Sequence, residues 1–129
     1  MKEIRYTIPL PPITKKNSMQ IIQIHGRPRL IPSKQYRKYE KESAPYLEGG
    51  ETLSGRYNVK TVFYMPTRRR VDLSNLIEAA HDVMVKHGVL EDDNSKIIVS
   101  VDGSRVRYDK ERPRTEIIIT EAEEDDCCT

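Results

Sequence analysis

The chain has 129 residues, 36% of them hydrophobic and 33% charged, so it is long enough for one compact core and short for two. No apolar run approaches the roughly 18 residues that cross a bilayer, and the first ten residues lack the apolar stretch of a signal peptide, so we expect a cytoplasmic protein without a membrane partner. The two cysteines, Cys127 and Cys128, are adjacent, which excludes a disulfide framework that links distant segments.

Charge is unevenly distributed along the chain. The formal net charge is +2, but all 22 Lys and Arg fall within residues 1–120, against 15 of the 20 Asp and Glu. Residues 1–70 alone carry 15 basic and 5 acidic side chains. This excess predicts a polyanionic partner, first of all nucleic acid, although a solvated basic surface has the same composition. We expect one domain over residues 1–120, followed by an acidic, disordered tail at 121–129.

The first half of the chain predicts one strand, one hairpin and one helix. Residues 3–10 alternate apolar and polar side chains and end in prolines, as a strand does. Residues 20–33 form two short apolar runs about a central glycine, which predicts a hairpin. Ser33 is suited to cap a helix over 34–47, which should stop or kink by Pro45.

The second half predicts a strand, a helix and three more strands. Residues 57–66 alternate and end at a proline, and residues 72–88 repeat apolar side chains at helical spacing up to Gly88, a natural helix stop. Residues 96–109 are typical of a hairpin about an Asp-Gly pair, and 115–122 should form a last strand. The sequence therefore predicts an α+β fold, a small single domain with a mixed, largely antiparallel sheet and two main helices.

The densest positive charge lies directly before the second helix. Arg68, Arg69 and Arg70 lead to Asp72 at the helix start. A helix N-terminus favours a carboxylate, so Asp72 is suited to cap the helix and needs no other purpose. The arginines have no such structural role and predict contact with phosphate groups.

A second acidic group follows the helix, in the turn that contains Asp92 and Asp93. Neighbouring carboxylates repel each other unless a cation or solvent screens them, and Mg²⁺ prefers such oxygen ligands. A return from helix to strand could bring either residue beside Asp72, although Asp is also a common turn former. A basic approach that ends at carboxylates favours metal-dependent phosphodiester chemistry over simple binding.

The order of these residues is similar to that of a known family. The segment MPTRRRVDLSNLIEAAHDVMVKHGVLEDDNSKI, residues 65–97, resembles the RusA family of Holliday junction resolvases, phage and prophage enzymes that cut four-way DNA junctions in recombination and repair. The resemblance extends more faintly to PLPP with Asn17 and to the closing TEIIIT. It implies a small α+β homodimer whose endodeoxyribonuclease activity requires Mg²⁺ or Mn²⁺ held by acidic residues.

The family motifs transfer residue by residue onto this chain. The first family aspartate falls on Asp72 and the distal metal-binding aspartate on Asp93, with Asp92 beside it, so the resemblance implies catalysis by Asp72 and Asp93. Asn75 and Leu76 also match. We expect the DNA-binding residues to be Arg68, Arg69, Arg70, Lys15, Lys16 and Asn17.

Two positions depart from the family pattern. Ser74 occupies the place of the second family aspartate, and Glu78 that of a lysine that assists catalysis. Glu78 could restore the third carboxylate as a metal ligand and catalytic residue, and Arg69, Arg70 or the metal could supply the lost positive charge. We favour this compensated site.

Two alternatives remain on this evidence. The first is a junction-binding or nucleic-acid-binding module that cuts slowly or not at all, because the departures at Ser74 and Glu78 break the family's set of ionisable groups. The second is a protein-interaction domain that uses the face of Tyr36 and Tyr39, and the basic first half of the chain argues against it.

Overall fold

The computed structural model describes residues 3–15 and 19–122, apart from the side chains of residues 19, 20 and 32. Two helices and two sheets form in this part of the chain, which confirms the α+β class. In chain order the elements are β1 (Ile4–Ile8), β2 (Met19–Ile24), β3 (Arg27–Pro32), α1 (Lys34–Leu47), β4 (Tyr57–Met65), α2 (Leu73–Lys86), β5 (Ile98–Ser100), β6 (Arg105–Tyr108) and β7 (Arg114–Glu121).

The main sheet has the order β1-β7-β4, with β5 and β6 both on the free side of β4. The β1–β7 and β7–β4 pairs are antiparallel, whereas β5 and β6 run parallel to β4. The predicted mixed, largely antiparallel sheet is therefore confirmed. The strands β2 and β3 form a separate antiparallel hairpin, which confirms the first of the two predicted hairpins.

The core lies between one face of the main sheet and the two helices. Alternate residues of β4 and β7 are buried, and the register places Val59 opposite Ile119 and Thr61 opposite Ile117 on the same face. The helices cover this face with the buried side chains Tyr36, Tyr39, Leu47, Leu76, Ala79, Ala80, Val83 and Met84. This burial fixes the orientation of α2, so its opposite side is presented to solvent.

The helix α1 begins at its predicted cap and α2 ends at its predicted stop, whereas α1 does not stop at Pro45 as predicted. The hydroxyl of Ser33 accepts a hydrogen bond from the Tyr36 amide at 3.2 Å, as expected of an N-cap. The helix α1 includes Pro45 and ends two residues later at Leu47, whose buried side chain (2% exposed) anchors the last turn. Gly88 adopts a positive φ of 78° just after α2, which confirms it as the helix stop.

The predicted hairpin over residues 96–109 is wrong. The strands β5 and β6 do not pair with each other, because both run in the same direction along β4. They form one edge strand that is interrupted at Asp102 and Gly103. An Asp-Gly pair can turn a hairpin, but here its flanking strands find their partner in β4 instead.

Side chains replace the missing ladder hydrogen bonds at this interruption. The Asn58 amide accepts from the Asp102 backbone N–H at 2.8 Å and donates to its carbonyl at 3.2 Å. The Ser104 hydroxyl accepts from the Thr61 N–H at 3.0 Å. Gly103 has a φ of 89°, and a Cβ there would lie 2.9 Å from the Lys60 side chain. These contacts stabilise the interruption locally, and the edge strand resumes as β6.

Candidate functional site

The arginine run lies in the loop between β4 and α2, at the end of the sheet. Arg68, Arg69 and Arg70 are all exposed. The guanidinium of Arg68 stacks on the ring of Tyr108 in β6, with its carbon 4.2 Å from the ring centroid. This cation–π contact fixes one arginine of the run against the sheet edge and leaves its charge accessible.

The edge strand β6 extends the positive charge of this loop. All four of its residues are exposed, and Arg105 and Arg107 alternate with Val106 and Tyr108. A groove separates the loop from β6, and we call it the arginine groove. It is lined by Met65, Thr67, Arg68, Arg69, Val106, Arg107 and Tyr108.

Arg105 and Arg107 were not among the residues predicted from the sequence, because the pattern there predicted a separate hairpin. The available signal was the alternation of RVRY, which puts two arginines on one face of a strand. This alternation indicates a shared basic surface only when β6 is known to lie beside the arginine run.

A second depression leads from the arginines to the start of α2. Segment 12–14 lies there against Arg69, Arg70 and Leu76. The next residue, Lys15, places its amine 3.3 Å from a carboxylate oxygen of Asp82 in α2, with both side chains about one-third exposed. Lys15 therefore joins this segment to the helix. The other two candidate residues of the segment, Lys16 and Asn17, lie outside the described residues.

Asp72 occupies the N-cap position of α2 but does not cap it with its side chain. Its backbone is extended, with φ −83° and ψ 120°, and its carboxylate makes no capping hydrogen bond. One oxygen instead accepts from the side-chain amide of Asn75 at 3.2 Å, and the residue is exposed. Helix capping, the structural explanation for this aspartate, is therefore not what its carboxylate does, and Asn75 orients it at the helix entrance.

Asp92 and Asp93 differ in what their carboxylates contact. One Asp92 oxygen accepts from the Asp93 amide at 2.8 Å and the other from the Asn94 side chain at 2.9 Å. These two hydrogen bonds, the backbone one first, lower the pKa of Asp92 below its usual range. Both oxygens thus stabilise the turn. The Asp93 side chain adds a smaller lowering of the Asp92 pKa by hydrogen bonding with Asp92, and among residues 3–15 and 19–122 its carboxylate has no other hydrogen-bond partner.

Asp93 acts electrostatically on His81, a partly buried residue of α2. Burial lowers the pKa of His81, and the charges of Asp93 and Asp82 oppose that shift. The Nε2 atom of His81 is buried and has no hydrogen-bond partner among the described residues. The charge of Asp93 therefore acts on α2 at His81.

Glu78 and Ser74, the two departures from the family pattern, are both exposed on α2. Burial is the main cause of the raised pKa of the Tyr36 hydroxyl in α1, and the charges of Glu40, Asp82 and Glu78 add to it. Glu78 thus acts electrostatically on the side of α2 that faces α1.

The acidic side chains near α2 suit a divalent cation only in part. Over residues 3–15 and 19–122, no three His, Cys, Asp or Glu side chains are grouped so that they could hold a metal ion. Mg²⁺ often takes only one or two protein carboxylates and completes its shell with water and substrate phosphate. The carboxylates of Asp72 and Asp93 are chemically suitable ligands for a Mg²⁺ site of that kind. Both carboxylate oxygens of Asp92 already accept hydrogen bonds within the turn.

Residues 9–120 match the family model described as endodeoxyribonuclease RusA. A search of curated proteins gave no match. Among the described residues, no helix is long and apolar enough to cross a membrane. The match spans most of the chain, from the end of β1 to the last strand of the sheet.

Proposed function

Since the chain belongs to the RusA endodeoxyribonuclease family, we propose that it cuts four-way DNA junctions by metal-dependent phosphodiester hydrolysis in recombination and repair, as a homodimer. Family membership implies endodeoxyribonuclease activity and binding of DNA junctions. Nucleases of this family generally depend on divalent metals. The residue roles below are part of the proposal.

The position and freedom of Asp72 support the proposal most strongly. The depression lined by residues 12–14, Arg69 and Arg70 extends to the start of α2, where Asp72 presents a carboxylate that does not cap the helix. Arginines attract a phosphate backbone, whereas an uncommitted carboxylate repels it. The arginines and the carboxylate can act on the same phosphate when a metal cation lies between the carboxylate and the phosphate.

The residues have separate tasks in this mechanism. Arg68 and Arg107 hold the DNA backbone in the groove, and Arg69 and Arg70 hold the phosphate nearest the helix and supply the charge of the lysine that Glu78 replaces. Asn75 keeps the Asp72 carboxylate in place.

A divalent cation held by Asp72 and Asp93 would supply activation of water and stabilisation of charge on the phosphate. We place Glu78 outside this ligand set, because among the described residues no three His, Cys, Asp or Glu side chains are grouped to hold a metal ion.

Binding without efficient cleavage is the second candidate function. The observation that favours it is the replacement of two family positions by Ser74 and Glu78, without a third carboxylate gathered elsewhere among the described residues. A protein of this kind would hold junction DNA equally well in chelator, since its contacts would be those of the arginines alone.

One experiment separates these functions. Labelled four-way junction, matched duplex and single strand are each incubated with the full chain in Mg²⁺, Mn²⁺ or EDTA, and both binding and products are measured. The proposal expects cutting of the junction with either metal and none in EDTA. Tight junction binding without cutting under any metal would establish the binding module, and equal cutting of all three DNAs a general nuclease.

A further inference from the structure

The hairpin of β2 and β3 stands apart from the main sheet. Among the described strands each pairs only with the other, in a six-pair register that turns at His25 and Gly26. Both turn residues have positive φ, at 52° and 74°, as a tight hairpin turn requires. An isolated two-stranded sheet is marginally stable in water. Contact with a binding partner would therefore stabilise this arm.

One face of the arm is apolar and open to solvent. Ile21 and Leu30 are directly opposite in the register and are 71% and 65% exposed. They are the two most exposed large hydrophobic side chains among the described residues. An uncovered cross-strand pair of this size is unusual for a surface without a partner.

The positive charge of the arm indicates which kind of partner it binds. Arg27 and Arg29 lie on its other face, and neither makes an ion pair or hydrogen bond with the described residues. The helix that follows, α1, presents further exposed cations at Lys34, Arg37, Lys38 and Lys41. Between residues 19 and 41 the sequence contains one acid, Glu40. A second copy that packed its own arm on the face of Arg27 and Arg29 would oppose like charges, whereas DNA would neutralise them.

We propose that the β2–β3 arm is a second DNA-contacting element, which lies in a groove of a duplex arm of the junction. The inference rests on the proposed function, because it takes DNA as the substrate. The major groove admits a two-stranded β-ribbon, and six residues span about 20 Å at roughly 3.3 Å each. Arg27 and Arg29 contact phosphates at the groove wall, and Ile21 and Leu30 cover apolar base surface such as thymine methyl groups.

The arm is tested with the full chain carrying Arg27→Ala and Arg29→Ala together. Binding of labelled junction is measured by fluorescence anisotropy in EDTA across a salt series. We expect affinity to fall on the order of tenfold and the slope of log affinity against log salt to decrease by about 1.8, for two lost phosphate contacts. The matched control is Arg5→Ala with Arg56→Ala, which removes equal charge at exposed positions on β1 and before β4. Equal behaviour of the two double variants would overturn the proposal.

A second pair of substitutions tests the apolar face. Ile21→Thr with Leu30→Thr keeps the β-propensity of the arm and removes its hydrophobic surface. We expect junction affinity to fall severalfold while the sedimentation coefficient of the free protein stays unchanged. A change of oligomeric state with unchanged DNA binding would show that a second copy covers this face, and would overturn the proposal. If the wild-type chain itself does not bind the junction, the proposed function and this inference fail together, whereas failure of the variants alone refutes only the arm.

Discussion

The arginine groove and the carboxylates beside it are built in different ways. The groove gathers its charge from a loop and an edge strand, with Arg68 on the loop and Arg107 on β6. The carboxylates of Asp72 and Asp93 are single groups, one at the start of α2 and one in the turn after it, and one Asp72 oxygen accepts no hydrogen bond from the described residues. Binding should therefore be spread over several charges and depend on salt, whereas cutting should depend on individual side chains.

A large effect on cutting is expected at Asp93, with its neighbour as the control. Asp93→Asn removes a charge proposed to hold the metal, so we expect junction cutting in Mg²⁺ to fall by on the order of 100-fold or more. Asp92→Asn alters a carboxylate whose two oxygens already serve the turn, so cutting should stay close to the wild-type rate. The measurement is the single-turnover rate at saturating protein. Equal losses in the two variants would mean that the turn as a whole, and not Asp93, is required.

The arginine run gives the next effect, on binding. Changing Arg68, Arg69 and Arg70 to Ala should weaken junction binding by on the order of tenfold or more and decrease the salt slope by up to about 2.7. Anisotropy in EDTA across a salt series measures both quantities. An unchanged slope would show that these residues do not contact phosphate. The arginine groove would then have no role in DNA binding.

Substitution of Tyr108 tests a single contact of the arginine groove. Its ring supports the Arg68 guanidinium, and cation–π contacts at exposed sites contribute about 0.5–1 kcal/mol. Tyr108→Ala should therefore weaken junction binding by about two- to fivefold, and Tyr108→Phe should retain wild-type affinity because it keeps the ring. The same anisotropy assay suffices. Loss of affinity in Tyr108→Phe would point to the hydroxyl instead of the stack.

Glu78 should have the smallest effect if it lies outside the metal ligands. We expect Glu78→Gln to cut within about threefold of the wild-type rate, because the change keeps the shape of an exposed side chain and removes one charge. A loss as large as that of Asp93→Asn would restore the compensated site, in which Glu78 replaces the carboxylate absent at Ser74. Single-turnover cleavage in Mg²⁺ decides between the two assignments.

The local elements were predictable because their signals are local. The Ser33 cap, the Gly88 stop and the apolar spacing of α2 specify hydrogen bonds and burial within one helix. The hairpin about Asp102 and Gly103 failed because strand pairing depends on distant residues. Asn58 and Thr61 of β4 supply the partners of the interrupted edge, and no local pattern indicates them.

The site was predictable to the same extent. The arginine run and Asp72 lie within five residues of each other in sequence, so their proximity could be inferred. Arg107 was not found, because it reaches the groove through the parallel pairing of β6 with β4. The different environments of Asp92 and Asp93 were also hidden, since the sequence shows two equivalent acids and only the turn geometry assigns both Asp92 oxygens to hydrogen bonds.

The separation of binding from cutting is tested most directly by Asp72→Asn on one labelled four-way junction. Its dissociation constant in EDTA and its single-turnover cleavage rate at saturating protein in Mg²⁺ are measured beside those of the wild-type chain. The substitution keeps the shape at the helix entrance and removes only the charge. The account predicts nearly unchanged junction affinity with cleavage abolished. Wild-type cleavage by Asp72→Asn, or loss of junction binding together with cleavage, would contradict it.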